Sequence, residues 1–141
     1  MKILGLDLGD KWVGSAIADP LGISCRPYET VELENLVSFL TRVIPDQDIS
    51  VVVVGYPKTM SAGTESDQTR KTVKLKEELE QQFGSVQWIL WDERLSSKRA
   101  DILKGTGRTP EEKRRQHSVA ASFILQSYLD YKAFNASQEE E

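Results

Sequence analysis

The amino-acid sequence predicts an α/β fold: a five-stranded mixed sheet, made of an antiparallel three-strand meander plus two parallel strands, with helices on both faces. Three observations predict it. Two strand-like apolar runs at the N-terminus are separated only by Gly9-Asp10, so the chain turns from one strand straight into the next. Val51-Val52-Val53-Val54 is a continuous β-branched run of the kind found in strands covered on both sides. Beyond residue 32, helical and strand patterns alternate, which calls for right-handed crossovers between parallel strands.

Residues 3–8, 11–18 and 22–31 read as the meander, with Gly9-Asp10 and Asp19-Pro20-Leu21-Gly22 as its turns. Over 33–43, Leu33, Leu36, Val37, Leu40 and Val43, with Ile44 just beyond, fall on one helical stripe, with Pro45 as the stop. Thr64 is placed to cap a long helix reaching about Phe83, with Gly84 after it. Residues 86–91 make the fifth strand. Residues 95–103 read as a short helix and 104–115 as a basic loop. A last helix over 116–134 has Val119, Ala120, Phe123, Ile124, Tyr128 and Leu129 as its packing face. One domain over 1–134 and a disordered acidic tail over 135–141 complete the expected organisation.

The composition, 39% hydrophobic and 28% charged over 141 residues, is that of a soluble globular chain. The single cysteine, Cys25, rules out an internal disulfide. No basic segment leads into an apolar stretch at the N-terminus, and no run approaches a membrane span, so the expectation is a cytoplasmic protein without a membrane partner. The net charge of −4 conceals an asymmetry. Eight basic residues lie between Arg94 and Arg115 against three acidic ones, whereas Glu139, Glu140 and Glu141 concentrate negative charge at the end. A polyanionic partner is therefore compatible with an acidic chain.

Asp7 is the residue that folding alone does not explain. Aspartate is a poor strand former, and this one lies between leucines in a core-like run, where a carboxylate is costly unless a cation pairs with it. In the predicted sheet the carboxyl ends of the parallel strands share one edge, where α/β proteins place ligands. The strand ending at Trp91 delivers Asp92-Glu93-Arg94 to that edge. Taken alone, that triplet reads as a solvated turn or a helix cap; together with Asp7 it reads as two carboxylates drawn together by divalent metal, Mg2+ or Mn2+. Such ions can activate water and stabilise a leaving oxygen in phosphodiester hydrolysis. No nucleophile elbow or Walker loop competes with this chemistry.

The motifs Gly5-Leu6-Asp7-Leu8-Gly9-Asp10-Lys11-Trp12-Val13-Gly14, Asp19-Pro20-Leu21-Gly22, Val53-Val54-Gly55-Tyr56-Pro57-Lys58-Thr59-Met60, Trp91-Asp92-Glu93-Arg94-Leu95-Ser96-Ser97 and Ser118-Val119-Ala120-Ala121 together resemble the YqgF family, in family order and over nearly the whole chain. That resemblance implies a ribonuclease H-like fold related to the RuvC resolvases. It also implies one of two activities described for the family, maturation of the 5′ end of pre-16S ribosomal RNA or resolution of Holliday junctions. Asp7 and Glu93 match the family's first two acidic metal ligands. A third acid normally precedes the Ser-Val-Ala-Ala stretch; here His117, the only histidine, takes that place. A lone histidine on a helix is commonly a plain surface residue, but in this position it is a candidate ligand or proton shuttle. Asp10, where the family more often has threonine, and one extra residue within 60–63 are further departures.

The expected function is a metal-dependent endonuclease on structured nucleic acid, with Asp7, Glu93 and His117 as the catalytic metal site and Lys11, Arg94, Lys98 and Arg99 on phosphates. Precursor rRNA is the preferred substrate and branched four-way DNA the alternative, acted on by a monomer or homodimer. A second class is a nucleic-acid-binding module weakened in catalysis by His117. A third, an ATPase of the sugar-kinase or actin type, shares a similar first hairpin but needs two such domains, and 141 residues supply one.

Overall fold

The computed structural model describes residues 2–56, 60–61, 64–65, 67–92 and 109–139. Strands β1 (Lys2–Leu8), β2 (Trp12–Ala18) and β3 (Cys25–Glu32) form the meander. A 3₁₀ turn, Leu33–Asn35, leads into α1 (Leu36–Asp46), followed by β4 (Ile49–Tyr56), the two-residue strands β5 (Met60–Ser61) and β6 (Thr64–Glu65), α2 (Asp67–Gln82), β7 (Gln87–Asp92) and α3 (Pro110–Glu139). The main sheet runs β3-β2-β1-β4-β7. Its β1–β2 and β2–β3 pairs are antiparallel, and its β1–β4 and β4–β7 pairs are parallel, as the sequence predicts. The β5–β6 ribbon is a separate addition that the sequence did not announce.

Alternation along the strands divides the core in two. One side packs Leu4, Leu6, Leu8, Val13, Ile17, Val52 and Val54 against Leu36, Phe39, Leu40 and Val43 of α1 and Leu79 of α2. Each such buried side chain contributes about 1.5–3 kcal/mol of transfer free energy. The other side is lined by smaller residues, Ala16, Ala18 and Val53, and receives Ala121, Leu125, Tyr128 and Leu129 of α3. Small residues on the strands let this helix lie close.

Several element ends differ from the sequence expectation, for local reasons. Pro45 sits inside the last turn of α1 instead of stopping it; Gln47 N–H still donates to Val43 O at 2.9 Å, and the left-handed Asp48 (φ 53°) ends the helix. Thr64 belongs to β6, so α2 starts at Asp67. Helix α3 begins at Pro110, inside the span expected to be a basic loop, because Thr109 caps it: Glu112 N–H donates to Thr109 Oγ1 at 3.1 Å, with proline in the first turn, where its missing N–H costs nothing. It continues past Phe134 to Glu139. Its buried face adds Ala121 and Leu125 to the expected set, whereas Val119 and Phe123 are only half-buried. The short helix expected over 95–103 lies outside the described residues.

The Asp19-Pro20-Leu21-Gly22 motif has a structural role at the edge of the sheet far from Asp7. Asp19 Oδ1 accepts from Leu21 N–H at 2.8 Å, Oδ2 accepts from Ser24 N–H and Oγ–H at 2.8 Å, and Gly22 takes φ 70°. The Ser24 hydrogen bonds hold this carboxyl down at about 2. Because the folded value is lowered, the stability that Asp19 contributes is present above its ordinary range and is lost as pH falls from about 4 toward 2. Wild type and Asp19→Ala should therefore differ in thermal midpoint at pH 6, and the difference should shrink on acidification to pH 2.5.

A stronger effect is expected at Gly14. A Cβ there would stand 2.0 Å from His117 O, on backbone that cannot yield, so Gly14→Ala should destabilise by about 2 kcal/mol or more in urea melts. Gly84→Ala, whose nearest neighbour would be 3.8 Å away, should be close to neutral.

Candidate active site

Strands β1, β4 and β7 run parallel and end at a common edge. One rung near that edge reads Gly14, Asp7, Gly55, Trp91 across β2, β1, β4 and β7. Residues on one rung project to the same side, which here is the side covered by α3. Asp7 is 2% exposed, and its neighbours Leu6 and Leu8 point into the opposite core. The charged residue thus stands on the side where the core is thinnest.

Both cross-strand neighbours of Asp7 are glycines, and α3 occupies the space their side chains would fill. A Cβ on Gly14 would meet His117 O, and one on Gly55 would come 2.6 Å from Ile124 Cδ1. The turn of α3 that carries His117, Ser118 and Ala121 is therefore seated directly on the rung that holds Asp7. Ser118 is buried, and its hydroxyl donates back to Arg115 O at 3.0 Å. Trp91 fixes the other end of the contact: its Nε1–H donates to Ser127 Oγ at 3.2 Å, and its ring meets Tyr128 edge-on at 5.4 Å.

Of the residues the sequence proposed for the metal site, the structure thus brings Asp7 and the backbone turn of His117 together. Asp92 closes β7 in register with Tyr56, one rung beyond Trp91. Glu93, Arg94, Lys98 and Arg99 lie outside the described residues. Among the described residues, no three His, Cys, Asp or Glu side chains form a group that could hold a metal ion. A hard divalent ion nevertheless suits what is described. A carboxylate at this depth is costly without compensating charge, and the backbone turn that carries His117 is seated on the same rung as Asp7.

Lys11 is exposed at the hairpin tip, its carbonyl accepting from Leu33 N–H at 2.8 Å. Beside it stands Trp12, a residue the sequence reading passed over. Trp12 lies two residues before Gly14 and so shares the α3 side of the sheet with Asp7. Lys11 Nζ and the Arg114 guanidinium lie 5.9 and 5.0 Å from its ring centroid. The signal was available: an aromatic residue beside a lysine, where the hairpin turns out of the sheet.

Comparison with known proteins agrees with this architecture. The RuvX family model, described as Holliday junction resolvase, matches residues 1–131. The chain belongs to the RuvX family. This is the YqgF family that its motifs resemble. Curated RuvX-like relatives include a "Putative pre-16S rRNA nuclease" of Syntrophus aciditrophicus, 38% identical over 135 residues and covering 92% of this chain and 89% of that protein. Another of the same description, from Geobacillus sp. (strain WCH70), is 38% identical over 141 residues, covering 94% and 99%. Among solved structures, T. thermophilus RuvC in complex with Holliday junction substrate shares the fold at a TM-score of 0.59 and 13% identity, covering 94% of this chain and 96% of RuvC. The fowlpox virus Holliday junction resolvase does so at 0.53 and 17%, covering 93% and 99%. The ribonuclease H-like expectation therefore holds. No helix among the described residues is long and apolar enough to cross a membrane.

Proposed function

We propose that this RuvX-family protein is a divalent-metal-dependent nuclease that hydrolyses phosphodiesters of structured nucleic acid, with the 5′ end of pre-16S rRNA as its substrate in the cytoplasm. The observation that carries the reading is Asp7, a carboxylate buried at the carboxyl edge of the central strand and covered by the turn of His117. The names of the curated relatives, which this chain matches over nearly its whole length, support precursor rRNA.

Asp7, Glu93 and His117 would hold Mg2+ or Mn2+. When bound, the metal supplies positive charge to the phosphate and an acidified water. The chain's own contribution is position. Asp7 is fixed by the sheet and cannot swing out to solvent, so one ligand direction is set before substrate arrives. An imidazole ligates only when neutral and suits manganese better than magnesium, so His117 tilts the site toward manganese. Lys11, Arg94, Lys98 and Arg99 would hold the phosphate backbone on either side of the cut. Such contacts read charge and shape more than sequence, and a four-way DNA junction, the substrate in the family description, presents the same chemistry. Trimming an RNA end needs one active site, whereas cutting a junction symmetrically needs two, so a monomer goes with the first substrate and a homodimer with the second.

Cleavage of a pre-16S 5′ leader transcript and of a synthetic junction, each with Mg2+ and with Mn2+, tests the reading. Asp7→Asn and Glu93→Gln should each lower the rate by at least about a hundredfold, in line with loss of a key electrostatic contact. Wild-type rates in either variant would remove that residue from the metal site. His117→Asp should raise activity in Mg2+ relative to Mn2+, and His117→Ala should lower both. If wild type cleaves neither substrate and only His117→Asp restores cleavage, the protein is instead a binding module whose catalysis has decayed.

A further inference from the structure

We infer that Lys11, Trp12 and Arg114 form a two-cation phosphate clamp next to the scissile position, with Trp12 as the positioning residue that holds both cations. The inference rests on the nuclease reading for its location relative to Asp7, and it adds two residues, Trp12 and Arg114, to the nucleic-acid contacts. Its basis is a convergence of three elements. Trp12 starts β2, Lys11 belongs to the hairpin turn, and Arg114 lies in the second turn of α3, a hundred residues away in sequence. Arg114 comes 5.0 Å and Lys11 5.9 Å from the same indole. Among the described residues, neither cation forms an ion pair. What the two cations share is the indole face of Trp12.

That arrangement suits a polyanion. An arginine stacked on an indole keeps its N–H edges free for bidentate contact with phosphate oxygens, while the stacking limits the side-chain freedom it must lose on binding. The backbone beneath it is fixed as well, because Thr30 Oγ1–H donates to Arg114 O at 2.6 Å and ties the start of α3 to β3. Geometry then places the clamp. Asp7 pairs with Gly14, and Trp12 stands two residues further along β2 on the same side. It is the diagonal neighbour of Asp7, about 7–8 Å away in an antiparallel pair. Glu32, the cross-strand partner of Trp12, and Asp10 and Glu34 near Lys11 set carboxylates along the β3 and hairpin margin of the clamp, which leaves the Arg114 side of the indole as the approach for a phosphate.

Binding measured in EDTA tests the clamp without involving metal or cleavage. Two labelled probes serve, an RNA stem with a 5′ single-stranded extension and a four-way DNA junction, titrated by fluorescence anisotropy from low to high KCl. Lys11→Ala and Arg114→Ala should each reduce the steepness of log K against log salt by about 0.7 to 0.9, one phosphate contact apiece. Trp12→Leu, which changes no charge, should weaken binding at fixed salt roughly three- to tenfold, and Trp12→Phe should recover most of it. A merely structural tryptophan would give a lowered thermal midpoint with no change in the affinity of the folded protein. An unchanged salt slope in Arg114→Ala, wild-type affinity in Trp12→Leu, or no binding of either probe by wild type would overturn the clamp. Loss or retention of cleavage in Asp7→Asn decides the nuclease reading separately.

Discussion

The close seating of α3 on the rung that carries Asp7 is the constraint on which the rest of the structure depends. Glycines at 14 and 55 bring the helix to within van der Waals contact of the strands on both sides of the acid. The strands on that side carry alanine and valine against Ala121, Leu125, Tyr128 and Leu129 of α3, whereas the opposite side is filled by leucine, valine and phenylalanine. This asymmetry serves a purpose. A thick apolar layer would bury a carboxylate beyond the reach of any ligand, and an open surface would leave it free to reorient. A helix held near the strands by small residues gives a fixed acid at the margin of a core.

The same seating organises charge. Helix α3 arrives with Lys113, Arg114 and Arg115 in its second turn, so a helix that covers an acid also carries cations to the rim above it. Arg114 reaches Trp12, and the start of the helix is tied to β3 through Thr30. On the proposed nuclease reading, Asp7 would meet the cation and the basic residues at the start of α3 the substrate's backbone, one sign of charge for each. The net negative charge of the whole chain says nothing against it, because the relevant charges are local.

Much of the fold was legible because the strong periodic signals were also the structural ones. The meander, the Val51–Val54 strand and the stripe of α1 follow from apolar spacing and turn residues. Asp7 stood out because a carboxylate in such a run contradicts the pattern around it. The start of α3 was missed although Thr109-Pro110-Glu111-Glu112 is a strong capping signal; the density of basic residues and the glycines just before it suggested a loop, and cap chemistry prevailed. Gly14 and Gly55 were invisible as determinants of the site, since their effect lies in what α3 places against them and no local pattern encodes that distance. Trp12 was passed over because an aromatic residue at a strand start ordinarily packs in a core. Its partner in this case, Arg114, comes from the far end of the chain.

A manganese-soaked crystal structure is the most direct test of the central claim. The account predicts an anomalous peak at the carboxyl edge of β1, within coordination distance of an Asp7 oxygen and of Glu93. A manganese ion bound elsewhere, or Asp7 and Glu93 facing different sides of the sheet, would contradict it.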